Sequence, residues 1–311
     1  MASNDTADAQ SVAVIDIGSN TVLLLVHTRD GPTLEDSRIT RLGQGAFESG
    51  ELNAAATRRT REAIGDFAKR ARAAGAQTVV GVGTEALRTA PSGRDFLAHL
   101  CEDGVLDRAL LLSGQEEAEF AIEATRRARE GGPPVAVIDV GGGSTELAWT
   151  LADGGVRGFS APMGSVRYTE AFLPEHPVPD DDMEALRERI RARAAGYPRL
   201  APETEIYALA GTATTLAALD LALEPYDPAR VENYRLRRER LRHWISSLAA
   251  MGVDERRELP GLEPQRADVI VAGLLILDGV LERIGAGEFL VSGRGLRHSV
   301  ALKLLDAAPA V

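Results

Sequence analysis

The chain has 311 residues, room for about two domains at roughly 150 residues each. Hydrophobic residues make up 44% and charged residues 26%, a soluble globular balance, and aromatics reach only 5%, too few for a platform that stacks single-stranded nucleic acid. The net charge of -11 argues against general affinity for nucleic acid or an anionic membrane, so a polyanionic ligand would need locally gathered Arg or Lys, or a divalent cation to screen it.

In chain order, the N-terminal MASNDTADAQ is polar and carries no basic-then-apolar targeting signal. Residues 12–21, VAVIDIGSNT, run from β-branched apolar residues to Asp and then a Gly-rich turn, which predicts strand, tight turn, strand. A helix is expected over 54–74, then a strand and helix around TVVGVGTEALR at 78–88. Cys101, the only cysteine, excludes an intrachain disulfide and reads as a buried packing residue beside Phe96, Leu97 and Leu100. His27, His99, His176, His243 and His298 show no paired ligand spacing, so no zinc site is expected. A charged helix over 116–130 meets EGGPP at 130–134, where Gly and Pro break it.

The second part opens on VAVIDVGGGST at 135–145, nearly a copy of 12–21. IYALAGTATTLAAL at 206–219 again reads strand, Gly-Thr, helix. Thr84 lies 68 positions after Asp16, and Thr212 lies 73 after Asp139. Two motifs repeated in the same order at nearly the same separation predict two similarly folded α/β halves, 11–129 and 130–311, facing each other across a cleft. Further helices are expected over 181–195, 236–250 and 264–285, and a late strand over 288–292. NYRLRRERLR at 233–242 holds five arginines without interleaved aromatics and reads as a solvated helix face. The apolar helix over 267–281 reads as core. Arg38, Arg41, Arg294 and Arg297 lie in or beside loops and are the expected cleft arginines. The longest apolar runs, such as 269–277, are too short to span a bilayer; no membrane partner and a cytoplasmic location are expected.

A turn rich in Gly, Ser and Thr aims backbone N–H groups and hydroxyls at one point, which suits a phosphate oxygen. Candidate donors are Gly18, Ser19, Asn20 and Thr21 in the first loop, Gly141, Gly142, Gly143, Ser144 and Thr145 in the second, and Gly211 and Thr212 at a helix start. Asp16, Asp139 and Glu146 would repel phosphate unless a hard cation such as Mg²⁺ lies between; alternatively they are strand-end residues that cap turns.

The stretches IDIGSNT, GTEALR, LSGQEEAEF, VIDVGGGSTEL, ALAGTATTLAAL and ADVIVAG, with SGRGLR near the end, span residues 12–300. In that order they resemble the exopolyphosphatase and guanosine pentaphosphate phosphohydrolase family in its short two-domain form. That family is a branch of the acetate kinase, sugar kinase, heat-shock chaperone and actin superfamily. The resemblance implies two duplicated actin-like (ribonuclease H-like) α/β domains around a cleft. It implies metal-dependent hydrolysis of the terminal phosphate of inorganic polyphosphate, or of guanosine pentaphosphate, with Mg²⁺ or another divalent cation. It makes Glu117 the catalytic base, where the residues alone read equally as a solvated helix with Glu116, Glu119 and Glu123. It directs Arg88 into the cleft, where the bland reading is a surface arginine pairing with Glu85 or Asp95. Asp16, Asp139 and Glu146 match the metal positions. A homodimer is expected. The chain stops at Val311, before the C-terminal helical domain of longer relatives, so a preference for short polyphosphates is expected.

Two other functions share these motifs. A kinase of the same superfamily would transfer phosphate from ATP to an acceptor; the LSGQEEAEF stretch argues against it. A non-enzymatic sensor would bind guanosine penta- or tetraphosphate without releasing phosphate.

Overall fold

The computed structural model describes residues 10–127, 129 and 132–307. The first half builds β1 (Ser11–Ile17), β2 (Thr21–Thr28), β3 (Gly31–Ile39), α1 (Ala46–Ser49), α2 (Ala54–Ala73), β4 (Thr78–Gly83), α3 (Glu85–Thr89), α4 (Gly93–Glu102), β5 (Arg108–Leu111) and α5 (Gly114–Arg127). The second builds β6 (Val135–Val140), β7 (Thr145–Thr150), β8 (Val156–Ala161), α6 (Ser165–Phe172), α7 (Asp180–Ala194), β9 (Glu205–Leu209) and α8 (Ala210–Asp220). It continues through α9 (Pro228–Val231), β10 (Arg235–Arg237), α10 (Arg238–Ala249), α11 (Val253–Arg257), α12 (Ile270–Ile284), β11 (Glu288–Val291) and α13 (Leu296–Ala307).

The first sheet has the order β3-β2-β1-β4-β5 and the second β10-β11-β9-β6-β7-β8. Reversed, the second reads β8-β7-β6-β9-β11, the same plan with β10 added at the edge. In both, an antiparallel meander of three strands is extended by parallel neighbours: β1 pairs β4, and β6 pairs β9. The duplication legible in the motifs is therefore a duplication of topology.

Strand alternation assigns the two faces of each sheet. Ala13, Ile15 and Ile17 join the core that α2 covers, with Ile64, Phe67 and Ala68. Val12 and Val14 turn to the other face and pack with Leu296, Val300, Ala301 and Leu305 of α13. In the second sheet, Val135 and Val137 pack with Ala118, Ala121 and Ile122 of α5. The halves thus exchange helices: α5 precedes β6 in the chain yet covers the second sheet, and α13 ends the described chain yet covers the first. A division at 129/130 cuts across this exchange, and residues 128, 130 and 131 lie outside the described set.

The helix at 54–74 is found as α2, whose N-cap Asn53 side chain accepts from the backbone N–H groups of Ala55 and Ala56. The 236–250 helix starts two residues later than expected, because Leu236 pairs with Phe289 in β10. The 264–285 helix is shorter: Pro264–Arg266 forms a 3-10 turn, and the regular helix begins at Ile270. The arginines of NYRLRRERLR mostly meet acids of their own surface: Arg235 with Glu288, Arg238 and Arg242 with Asp278, Arg240 with Asp220. Cys101 is only half-buried. No helix among the described residues is long and apolar enough to cross a membrane.

Leu305 anchors α13 from a position 2% exposed. Leu305→Ala should lower unfolding free energy by about 2–4 kcal/mol, read as a shifted urea midpoint at unchanged slope. A loss under about 0.5 kcal/mol would mean that α13 contributes no more than a surface element does.

Candidate active site

Both hairpin turns close the same way: Gly18 N–H donates to the Thr21 carbonyl (3.1 Å) and Gly141 N–H to the Ser144 carbonyl (3.0 Å). The repeated Gly-Thr pairs tie each loop to the following helix. Thr84 Oγ1 donates to the carbonyl of Ile17, the last residue of β1, and Thr212 Oγ1 to that of Val140, the last of β6, both at 3.3 Å. The second turn also seats α6, since the Gly141 carbonyl accepts from Ser165 N–H (2.9 Å) and the Gly142 carbonyl from Val166 N–H (3.0 Å).

The turns meet face to face. A Cβ on Gly142 would lie 3.1 Å from Asn20 Cβ, and one on Gly143 would lie 2.7 Å from Ser19 Oγ and 2.5 Å from the Phe47 ring. Glycine is required here by the approach of the two loops to each other. Both side-chain polar atoms of Asn20 are buried without a protein partner. Thr145 and Thr212 have their hydroxyls committed: Thr145 Oγ1 donates to the Met163 carbonyl (2.6 Å) from a fully buried position outside the cleft lining, and Thr212 Oγ1 donates to Val140, which leaves Thr212 only its backbone to offer a ligand. Gly211 lies under the Arg266 guanidinium, which occupies the space a Cβ would need, and Arg266 Nη2 also donates to Thr21 Oγ1 (3.2 Å).

Alternation continues to the strand ends. Asp16 shares the face of Val12 and Val14, toward α13, and Asp139 shares that of Val135 and Val137, toward α5. The start of each exchanged helix brings a charged side chain to that level, Arg297 on α13 and Glu117 on α5. Glu117, 7% exposed, pairs with Arg88 Nη1, which also donates to the Leu112 carbonyl (2.5 Å), while Arg88 Nη2 holds Glu85 (2.5 Å). Arg88 thus pairs with Glu85, as a surface arginine would, and also with Glu117, which lines the cleft that Arg88 itself does not line. Asp139 faces Glu146 directly across the β6–β7 register, whereas Asp16 faces Leu23. Glu146 Oε1 accepts from Ser160 Oγ (2.6 Å). Asp16, Glu85, Glu117, Asp139 and Glu146 line one cleft of about 1640 Å³, together with Arg266, Arg294 and Arg297.

Withdrawal from water dominates the electrostatics. It raises Asp16 to about 7, opposed by Arg297 and reinforced by Asp139. It raises Asp139 to about 6 against Arg297, and Glu117 to about 8 against Arg88. Burial, with the charges of Glu117 and Asp139, pushes Glu146 well above the usual carboxylate range.

Among the described residues, no group of three or more His, Cys, Asp or Glu is arranged to hold a metal ion by itself. The donor set nevertheless fits a Mg²⁺-type ion, which takes one or two carboxylates and completes its shell with water and phosphate oxygens. Asp16 Oδ1 is buried with no hydrogen-bond partner, an acceptor that a cation would satisfy. Asp16 and Asp139 are the residues that suit it, while Glu146 is engaged with Ser160.

Arg266 and Glu85 had no sequence signal as site residues. Arg266 follows Pro264 in a segment that reads as helix, and Glu85 reads as a helix-start acid. Among the four arginines expected in the cleft, Arg38 pairs with exposed Asp66 at the rim and Arg41 reaches across to Asp268 (2.6 Å). Arg297 alone stands beside the buried acids, held by Glu35 (2.8 Å).

The model of the Ppx/GppA phosphatase family matches residues 29–308. Exopolyphosphatase 2 of Mycobacterium tuberculosis is 31% identical, over 94% of this chain and 98% of that protein. Exopolyphosphatase 1 of Mycobacterium bovis is 29% identical, over 95% of this chain and 88% of that protein. The crystal structure of the Aquifex aeolicus Ppx/GppA family member superposes with a TM-score of 0.79 at 30% identity, covering 97% of this chain and 99% of that one.

The raised acids set a pH dependence of stability. Asp139, Asp16 and Glu117 hold protons in the folded state up to about 6, 7 and 8, well above their ordinary values of 3.8, 3.8 and 4.5. Their contribution is fully present below the ordinary values and is lost as pH rises through the folded ones. A divalent cation binds the deprotonated acids, so it should stabilise more as pH rises. Melting temperatures of EDTA-treated protein at pH 5.5 and 8.5, each with and without Mg²⁺, check this. An equal Mg²⁺ increment at both pH values would remove Asp16 and Asp139 as cation ligands.

Proposed function

This chain belongs to the Ppx/GppA phosphatase family, and on that premise we propose that it is an exopolyphosphatase that hydrolyses the terminal phosphoanhydride bond of inorganic polyphosphate. The observation that carries the reading is the placement of Glu117. It is a nearly buried carboxylate at the start of α5, paired with an arginine, at the cleft where the two glycine loops meet.

The terminal phosphate is received by the turns, through the N–H groups of Ser19, Gly142 and Gly143 with Asn20 and Ser144, and by Arg266 above Gly211; the Gly18 and Gly141 N–H groups close the turns themselves. Asp16 and Asp139 would hold a divalent cation, proposed to be Mg²⁺, which when bound supplies positive charge to the phosphate oxygens and the two acids. Glu117 takes one proton from a water whose oxygen attacks the terminal phosphorus. The bridging P–O bond breaks, and its electron pair leaves on the shortened chain. Arg88, already beside Glu117, offers a guanidinium to the charge that builds on the transferring group. Guanosine pentaphosphate ends in the same phosphoanhydride and is the second proposed substrate.

Glu117→Gln, nearly isosteric and unable to accept the proton, should lower kcat for phosphate release from polyphosphate by about 10²- to 10⁴-fold. In the unmodified protein the rate should climb with pH toward about 8 as Glu117 ionises, and the variant should lack that limb. A folded variant with near-normal turnover would remove Glu117 as the base. EDTA should abolish release and Mg²⁺ restore it; activity indifferent to EDTA would remove the cation.

A further inference from the structure

Four charged side chains form one chain between the two halves beside the cleft: Arg167, Glu85, Arg88 and Glu117. Arg167, on α6 of the second half, donates through Nη2 to Glu85 Oε1 (2.9 Å) and through Nε to the carbonyl of Gly143 in the second loop (2.8 Å). Its guanidinium lies 4.0 Å from the centre of the Phe47 ring, from the first half. Glu85, the first residue of α3, gives its other oxygen, Oε2, to Arg88 Nη2 (2.5 Å). Arg88 then spends Nη1 on Glu117 and on the Leu112 carbonyl. The side chain of Glu85 is 11% exposed and that of Glu117 8%, so little solvent screens either contact.

Neither loop nor metal ligation accounts for Glu85. A carboxylate in a phosphate-binding cleft is unfavourable unless its charge is consumed, and here both oxygens are taken by arginines from opposite halves. Because its partners come from both sides, Glu85 can hold Arg88 in place fully only while Arg167 and the second loop are docked against the first half.

We propose that Glu85 is a positioning residue that couples docking of the second phosphate loop, through Arg167, to the orientation of Arg88 beside Glu117. Glu85 does not touch the reacting atoms; it fixes the fork that does. Arg88 has two terminal nitrogens to orient, and Glu85 secures one while the other stays on Glu117. With Glu85 removed, Arg88 keeps its charge but loses its bearing. The loss then falls on the transition state more than on substrate binding.

The kinetic test rests on the hydrolase reading; a second readout does not. With a short inorganic polyphosphate and Mg²⁺, Glu85→Ala should lower kcat on the order of 30-fold while KM stays within about threefold. Glu85→Gln, which keeps the volume and one acceptor oxygen, should fall between it and the unmodified protein. Arg167→Ala should act in the same direction, and the Glu85→Ala/Arg167→Ala pair should lose no more than about twofold beyond the worse single variant, since the two act as one unit. Independently of turnover, the guanidinium N–H resonances of Arg88, identified by their loss in Arg88→Lys, should show slowed rotation in the unmodified protein and lose it in Arg167→Ala. Phosphate release that fails in the unmodified protein would sink the hydrolase reading and leave the resonance test to decide this one. Arg88 resonances unchanged in Arg167→Ala, effects that multiply in the double variant, or Glu85→Ala with unaltered kcat would each overturn the coupling.

Discussion

Four carboxylates, Asp16, Asp139, Glu146 and Glu117, are gathered at the floor of one cleft, and the surrounding structure is arranged to make that tolerable. Isolated buried carboxylates are costly, and like charges placed together are costlier. The protein meets this in two ways. It leaves the acids able to hold protons far above their ordinary range, and it brings Arg88 and Arg297 to them from separate elements. Both devices depend on the helix exchange. Only because α13 returns to the first sheet does Arg297 stand near Asp16, and only because α5 crosses to the second does Glu117 stand near Asp139. An acidic floor of this kind would hold an anion only through a cation, which is why the proposed metal and the phosphate loops go together.

Much of this was legible in the sequence, for reasons that can be named. The hairpins announce themselves because β1 and β6 are buried on both faces, so their apolar runs are unbroken up to a single Asp and a glycine turn. The paired Gly-Thr stretches were legible as repeats, and their threonines bond the strand ends that carry the loops. Glu117 came forward as the candidate base by resemblance rather than by pattern, since a helix start with several acids has no periodic signature of a base.

What stayed hidden is long-range. β3 reads GPTLEDSRI, an edge strand with a half-exposed face and no apolar run to betray it. The exchange of α5 and α13 leaves no local mark, because an amphipathic helix records that it has a buried face and not which sheet will cover it. Arg266 was obscured by the proline-started turn that replaces the expected helix beginning. Glu85 was visible only as a possible partner of Arg88, and its second partner, Arg167, lies 82 residues away.

The duplication is broken where chemistry would need it broken. β5 leads into α5 as β11 leads into α13, so the starts of the two helices are equivalent places in the two halves. One carries a carboxylate, Glu117, and the other a guanidinium, Arg297. Across the hairpins the same division recurs, with Leu23 opposite Asp16 and Glu146 opposite Asp139. A symmetric pair of acids could clamp a cation but would give an attacking water no preferred side. Placing Glu117, Asp139 and Glu146 against the second sheet and Arg297 with Asp16 against the first makes the cleft polar in the electrical sense. The proposed proton acceptor then lies on the α5 side alone, and the arginine on the α13 side offsets Asp16, which faces a leucine across its hairpin.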